Sequence, residues 1–335
     1  MTDDGDESAG AGLQVASEAL EALAPEWAAL HRAASSATPF NHPAWFAVWL
    51  RHFGADTAPV FLAVRYDEAL IGVIPLDADA TAVRLLGDPD VCDYASPLVA
   101  DDRERDIAEA LLDWLDADLT SEIVLWGQRA ADPFRTAILE LSPLNGWAAT
   151  EEHEAVSPAM DLPSTWDGYL AGLGKHDRHE LRRKLRRLEA AGAVAYERLA
   201  EPSAVAPRFD AFLAMMRTSR EDKDQFLTLV RETFFRDLAV TYADLGLMRL
   251  GVLSLDGAAI AMLFTFEHAG VLSLYNSGYD PAQVSLSPGL LSKALALRDA
   301  IDRGLKTYDF LRGDEDYKRH LGGAPRPVLT ITLRR

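Results

Sequence analysis

From Ser17 to Ala34 the apolar residues Leu20, Leu23, Trp27 and Leu30 return every three or four positions. That spacing lays one apolar stripe along a helix, and Pro25 predicts a break near its middle. A second helix is expected from Pro43 to Phe53. Its aromatic residues Trp45, Phe46, Trp49 and Phe53 suit a core or the wall of a substrate pocket. In PVFLAVRYDEALIGVIPL two apolar runs meet at Asp67 and Glu68, which predicts a β-hairpin. Strands are then expected over 81–86 and 94–99, a helix over 102–118, a strand over 121–126, a helix over 133–141 and strands within 146–161. Residues 163–192 read as a linker and one long helix, with Leu181, Leu185 and Leu188 on one face and Gly192 as its stop. Helices over 203–217 and 222–243 precede three strands with tight turns at Asp256-Gly257 and Ala269-Gly270. A long helix from Pro288, a strand LKTYDFL, a short helix DEDYKRHL and a strand PVLTITL close the chain.

The pattern repeats. YDEALIGVIPL (66–76) lies over LDGAAIAMLFT (255–265) without a gap, placing Asp67 on Asp256, Ile71 on Ile260 and Gly72 on Ala261. Each segment opens the same order of elements, so the chain reads as two copies of one α/β fold with mixed sheets, over 13–162 and 163–335. Residues 1–12 are acidic and Gly-rich, too poor in apolar surface to order themselves.

Composition narrows the function. The 335 residues and 49% hydrophobic content allow two cores. A formal net charge of −19 argues against DNA binding, which needs a basic face to displace counterions. The single cysteine, Cys92, excludes an intramolecular disulfide and thiolate-rich metal sites. Neither a bilayer-spanning apolar run nor a basic leader is seen, so a cytoplasmic protein is expected. The histidines show no HExxH or similar spacing, and no metal is expected.

Candidate chemistry gathers in residues 275–322. Ser285, Ser287, Pro288, Gly289, Leu290 and Lys293 surround a helix start: Ser287 suits the N-cap, Pro288 the first helical position, and Gly289 leaves the backbone bare. Free amides and the helix dipole there suit an anion such as a pyrophosphate. The matching helix start in the first copy carries Asp101, Asp102 and Glu104, which would repel one. The first copy is therefore expected to be degenerate for a cofactor. Lys175, Arg178, Arg182, Arg183, Lys184, Arg186 and Arg187 form a basic island on an acidic protein, either a solvated face or a focus for an anionic ligand. Asp309, between Tyr308 and Phe310 on an expected strand, needs a partner or a task. Glu267 and His268 end another strand and offer an alternative base.

The residues YNSGYD (275–280), SPGLL (287–291), Gly304 with YDFLRGDEDYK (308–318), and LRRKLRRLEAAG (181–192) resemble the GNAT-type N-acyltransferase fold. More narrowly they resemble its tandem group named after CelD and the BioF2-like acetyltransferase domain, related to the FemAB peptidyltransferases. TPFNHPAWFAVW (38–49) and DYASPLV (93–99) are similar to that group's N-terminal pattern. The resemblance implies acyl transfer from acetyl-CoA, or another acyl-CoA, to an amine. It points to Tyr317 as general acid beside the sulfur, with Lys318 and Asp309 in support. Asp93, Tyr94, Trp45, Arg178, Arg182 and Tyr279 are then candidates for the acceptor side. The usual QxxGxG-type loop is replaced by VSLSPG. FemAB relatives use aminoacyl-tRNA, which the acidic charge disfavours here, and a non-catalytic scaffold in polysaccharide synthesis is a third reading.

Overall fold

The computed structural model describes residues 12–78, 83–117 and 120–335. Residues 1–11 of the expected tail, residues 81 and 82 of the strand expected over 81–86, and residue 118 of the helix expected over 102–118 lie outside them. The chain runs β1 (Leu13–Ser17), α1 (Leu20–Ala33), α2 (Pro43–Phe53), β2 (Pro59–Tyr66), β3 (Ala69–Ala78), β4 (Val83–Leu85), β5 (Leu98–Val99) and α3 (Glu104–Ala117). It continues through β6 (Glu122–Arg129), α4 (Pro133–Leu141), β7 (Ala148–Val156), β8 (Ala159–Asp161), α5 (Trp166–Gly172), α6 (Lys175–Glu189), β9 (Val194–Leu199) and α7 (Pro202–Ser219). The remainder is α8 (Glu221–Phe226), α9 (Leu229–Asp244), β10 (Met248–Leu255), β11 (Ala258–His268), β12 (Val271–Tyr279), α10 (Pro288–Asp302), β13 (Thr307–Asp309), α11 (Asp316–His320) and β14 (Pro327–Arg334).

The fold class is α/β, with two mixed sheets. One has the order β1-β2-β3-β4-β6-β14-β7, with β5 beside β3; the other is β8-β13-β12-β11-β10-β9. The described residues form two compact units. One holds residues through Pro43, Asp56–Glu152 and Leu329–Arg335, and the other holds Ala44–Ala55 and His153–Val328. The passage at 152/153 precedes the expected boundary at 162/163 because β8 pairs with β13 of the second unit.

The repeat is visible in hydrogen-bond register. In the first hairpin Tyr66 faces Ala69, the register slips between Val64 and Arg65, and Val64 then faces Gly72. In the second, Leu255 faces Ala258, the slip falls between Leu253 and Ser254, and Leu253 faces Ala261. Both turns are two residues with positive φ, Asp67 and Glu68 in one, Asp256 and Gly257 in the other. That backbone matches the twist of the flanking strands. Turn, bulge and small residue therefore recur at equivalent positions.

Local capping explains where the helices differ from expectation. Pro25 does not break α1, whose buried Leu20, Leu23 and Trp27 hold the helix across the missing amide bond. The helix expected over 163–192 is two, because Leu173 is extended and Gly174 is the non-helical N-cap of α6. α6 stops at Glu189 rather than Gly192. Beyond it the Asp256 carboxylate accepts the Ala193 amide at 2.8 Å, and a Cβ on Gly192 would lie 2.4 Å from that carboxylate. The helix expected over 222–243 is also two, since the Thr228 hydroxyl caps α9 by accepting from Arg231 N. β1 and β9, short strands pairing with β2 and β10, extend the two sheets beyond the expected elements.

In the second unit Trp45 is fully buried, with its ring edge-on to Phe234, Tyr242, Phe266 and Tyr275. It is core, not the wall of a substrate pocket.

Candidate active site

β12 and β13 run parallel and pair from Val271–Thr307 to Ser273–Asp309. Then they part. Phe310 N donates to Pro158 O at 2.9 Å and Gly313 N to Val156 O at 2.8 Å, so the chain after β13 follows other partners while β12 continues to Tyr279. α10 begins at the far end of β12. Its first turn, Ser287 to Leu290, lines a cavity of about 290 Å³ with Tyr279, Ser277, Arg220, Lys223, Lys293, Glu315 and Tyr317.

The helix start differs from the sequence expectation in one respect. Ser287 takes a left-handed conformation (φ 57°) and its side chain makes no capping bond; instead its hydroxyl accepts from Arg187 Nη2 at 3.1 Å. Pro288 does occupy the first helical position. Gly289 is required by packing, since a Cβ there would meet Tyr279 Cδ1 at 2.9 Å. Ser285 is exposed in the short turn Pro281–Leu286 and does not line the cavity.

Two buried lysines, Lys293 and Lys318, and the half-buried Lys223 surround this region, each held differently. Lys318 is 2% exposed; its ammonium donates to the carbonyls of Leu311, Arg312 and Gly313 at 2.8–3.1 Å and pairs with Glu315 at 2.9 Å. With its hydrogens so engaged it fastens a loop and has none left for a substrate phosphate or carboxylate. Lys223 donates to Asn276 Oδ1 at 3.0 Å and to the carbonyl and hydroxyl of Ser277. Burial, reinforced by Arg220, brings its ammonium down to about 8. Lys293 donates to Gly289 O at 2.7 Å and sits 4.9 Å from the Tyr317 ring centroid. Burial, with Lys223 adding to it, lowers Lys293 to about 7.

Tyr317 and Leu290 also line a second cavity of about 340 Å³, with His176, Asp177, Glu180, Leu181 and Lys184 of α6 and His320 and Leu321. Asp177 pairs with His320 at 2.9 Å, and Arg183 holds Glu180 down to about 2. Tyr317 thus stands between a cationic cavity and one bearing carboxylates. Burial, with Glu315 adding to it, pushes its phenol well above the usual 10. A phenol so raised stays protonated: it can donate a hydrogen bond but is a poor proton source for a thiolate.

The other expected site residues lie elsewhere. Asp309 accepts from the Leu311 amide at 2.8 Å and from the Ser157 hydroxyl at 3.4 Å, fixing a turn in which Leu311 has φ 56°. Arg312 pairs with Glu154. Arg178 donates to the carbonyls of Leu170 and Ala171, closing the C-terminal end of α5. Arg182 is exposed and lines neither cavity. In the first unit Tyr94 is buried, edge-on to Phe40 with Arg129 over its ring, and neither it nor Asp93 lines these cavities. Glu267 is bound by Arg303 and Arg249, and burial lowers His268. Sequence reasoning missed Lys223, Arg220, Ser277 and Glu315; only Lys293 carried a signal, a lysine among the apolar residues of α10. Among the described residues no group of three or more His, Cys, Asp or Glu is placed to hold a metal.

Comparison with known proteins adds the following. Residues 175–319 match a family model described as "Acetyltransferase (GNAT) domain". Among solved structures the chain is similar to FemX, at 13% identity and TM-score 0.65, over 95% of this chain and 96% of that one. It is similar to a conserved protein of unknown function from Bacteroides thetaiotaomicron VPI-5482, at 12% identity and TM-score 0.60, over 96% and 100% of the two chains. A tandem GNAT protein from the clavulanic acid biosynthesis pathway gives 15% identity and TM-score 0.48, over 95% and 98%. No curated protein matches the sequence. No helix among the described residues is long and apolar enough to cross a membrane.

Proposed function

We propose that the chain, whose residues 175–319 match the GNAT acetyltransferase domain model, is an N-acyltransferase that moves an acyl group, in the simplest case acetyl from acetyl-CoA, to an amine. The observation carrying this reading is the cavity between the parted ends of β12 and β13, where the first turn of α10 meets Arg220, Lys223 and Lys293. The Gly289 amide at the helix start and the Arg220 guanidinium suit the phosphates of a phosphopantetheine carrier. The thioester would then reach Tyr317, whose protonated hydroxyl can donate to the carbonyl oxygen as negative charge develops. An acceptor amine would approach from the cavity bearing Asp177 and Glu180, whose carboxylates suit a cation before it loses its proton. The amine attacks the thioester directly, with no covalent enzyme intermediate. Suitable acceptors are a small amine, an amino sugar or an envelope or polysaccharide precursor.

Calorimetry with acetyl-CoA and CoA tests the reading: micromolar binding, weakened at least tenfold by Gly289→Val, is expected. Absence of heat with either ligand sinks it. The exposed Arg182, Arg183 and Arg186 of α6 favour a second reading, aminoacyl transfer from tRNA in the FemAB manner. That alternative requires aminoacyl-tRNA-dependent turnover, lost when these arginines are neutralised. Retained biological function in a Tyr317→Phe, Lys293→Met double variant would instead favour a carrier-binding scaffold.

A further inference from the structure

Of the three lysines in this region, Lys223 and Lys318 each give their hydrogens to three or more acceptors. Lys293 gives one hydrogen to the Gly289 carbonyl and turns its ammonium toward the face of the Tyr317 ring. It is 6% exposed, and what surface it has lines the cavity proposed for the carrier. Its bonded acceptor is a neutral carbonyl, whereas Lys318 has Glu315.

Resting on the carrier reading above, we propose that Lys293 is the proton carrier of the reaction, taking a proton from the acceptor ammonium and delivering one to the departing thiolate. The protons balance. The acceptor R–NH₃⁺ gives one to neutral Lys293; R–NH₂ forms the C–N bond at the thioester carbonyl. The tetrahedral adduct loses one N–H proton to water, the C–S bond breaks, and the thiolate takes the proton from Lys293. The products are the amide, the free thiol, neutral Lys293 and one proton in solution.

The groups facing Lys293 explain how a lysine serves near neutrality. Lys223 and Arg220 from the α8 side, and Lys318 beyond Tyr317, oppose its positive charge; Glu315 favours it, and burial outweighs that help. Tyr317, whose phenol burial holds protonated, cannot take the same part.

The test uses the full chain and two readouts. Competitive labelling with acetic anhydride across pH 5–11, followed by peptide mass spectrometry, measures the Lys293 midpoint with and without CoA. Thiol release from acetyl-CoA with water as acceptor measures proton delivery to sulfur. The expected result is a midpoint near 7, at least tenfold protection by CoA, and at least tenfold slower thiol release in Lys293→Met and Lys293→Arg with CoA binding retained. Arginine keeps the charge but cannot release the proton, so rescue by arginine overturns the role. A Lys293 midpoint near 10 overturns it too, whatever the carrier does. So do unprotected labelling while CoA binds, and stable acetylation of Lys293 by acetyl-CoA, which would make it a nucleophile. If calorimetry shows no CoA binding, the carrier reading fails, and the proton role falls with it even when the midpoint is near 7. Circular dichroism of both variants confirms that lost activity is not lost folding.

Discussion

The two helix starts that follow the repeated hairpins each have a left-handed residue just before them and differ in charge. Before α3 Asp102 is left-handed (φ 64°), as Ser287 is before α10 (φ 57°). At α3 the adjoining Asp101 accepts the Ser35 amide at 2.8 Å, and Glu104 and Asp106 occupy the first turn. The first copy therefore carries its own anions at the place where the second has none in its first turn and has Arg187 at Ser287. The strand before each helix differs as well: β5 has two residues, whereas β12 has nine. A duplicated fold can keep its turn geometry while the charge at its helix start changes.

The comparison can be broken in four ways. The largest effect is expected from Gly278→Ala. A Cβ there would lie 2.3 Å from Met216 N and 2.6 Å from Met215 C, backbone atoms that cannot yield, so overpacking should cost about 3 kcal/mol in urea unfolding. Gly72→Ala in the first copy meets the tip of Ile107 and should cost less; an equal loss would show that the two sheets tolerate crowding alike.

Second comes the response to pH. Every lysine of the chain lies in the second unit. The folded Lys293 and Lys223, at about 7 and about 8, lie below the ordinary lysine value. Between those values and about 10.4 the unfolded chain holds more protons than the folded one, so stability should rise with pH. The slope is about 1.4 kcal/mol per pH unit for each proton of difference. Lys293→Met should flatten this rise in urea titrations at pH 7, 8, 9 and 10. An unchanged slope would mean that the buried ammonium is not destabilised.

Third, Ser287→Asp copies the charge of the first helix start into the second. Acetyl-CoA affinity should fall about tenfold, equivalent to about 1.4 kcal/mol, without a change in thermal midpoint. The reverse change, Asp102→Ser, should bring no binding to the first copy. Smallest is Asp101→Ala, which removes an exposed bond to Ser35 and should cost under about 1 kcal/mol.

The hairpins and the helix start were legible because their chemistry is local: a two-residue turn, an alternating strand, a proline at the first helical position. The break at Leu173-Gly174 and the cap at Thr228 fall inside sequences rich in helix formers, where a cap is easily passed over. Lys223 reads as one charge in a polar helical segment, EDKDQF, and only tertiary packing brings it to Ser277. Asp309 announced itself as a charge on a strand, but its partner is the amide two residues on, a turn device rather than a reacting group. Lys318 likewise showed its position but not the three carbonyls that occupy it.

Those carbonyls have a consequence if the chain acylates amines as proposed. Its own lysines compete with the substrate for the activated acyl group. Lys318 is 2% exposed, with three carbonyls and the Glu315 carboxylate around its nitrogen, so the loop from Leu311 to Gly313 shields it from an acyl donor as firmly as the side chain secures the loop.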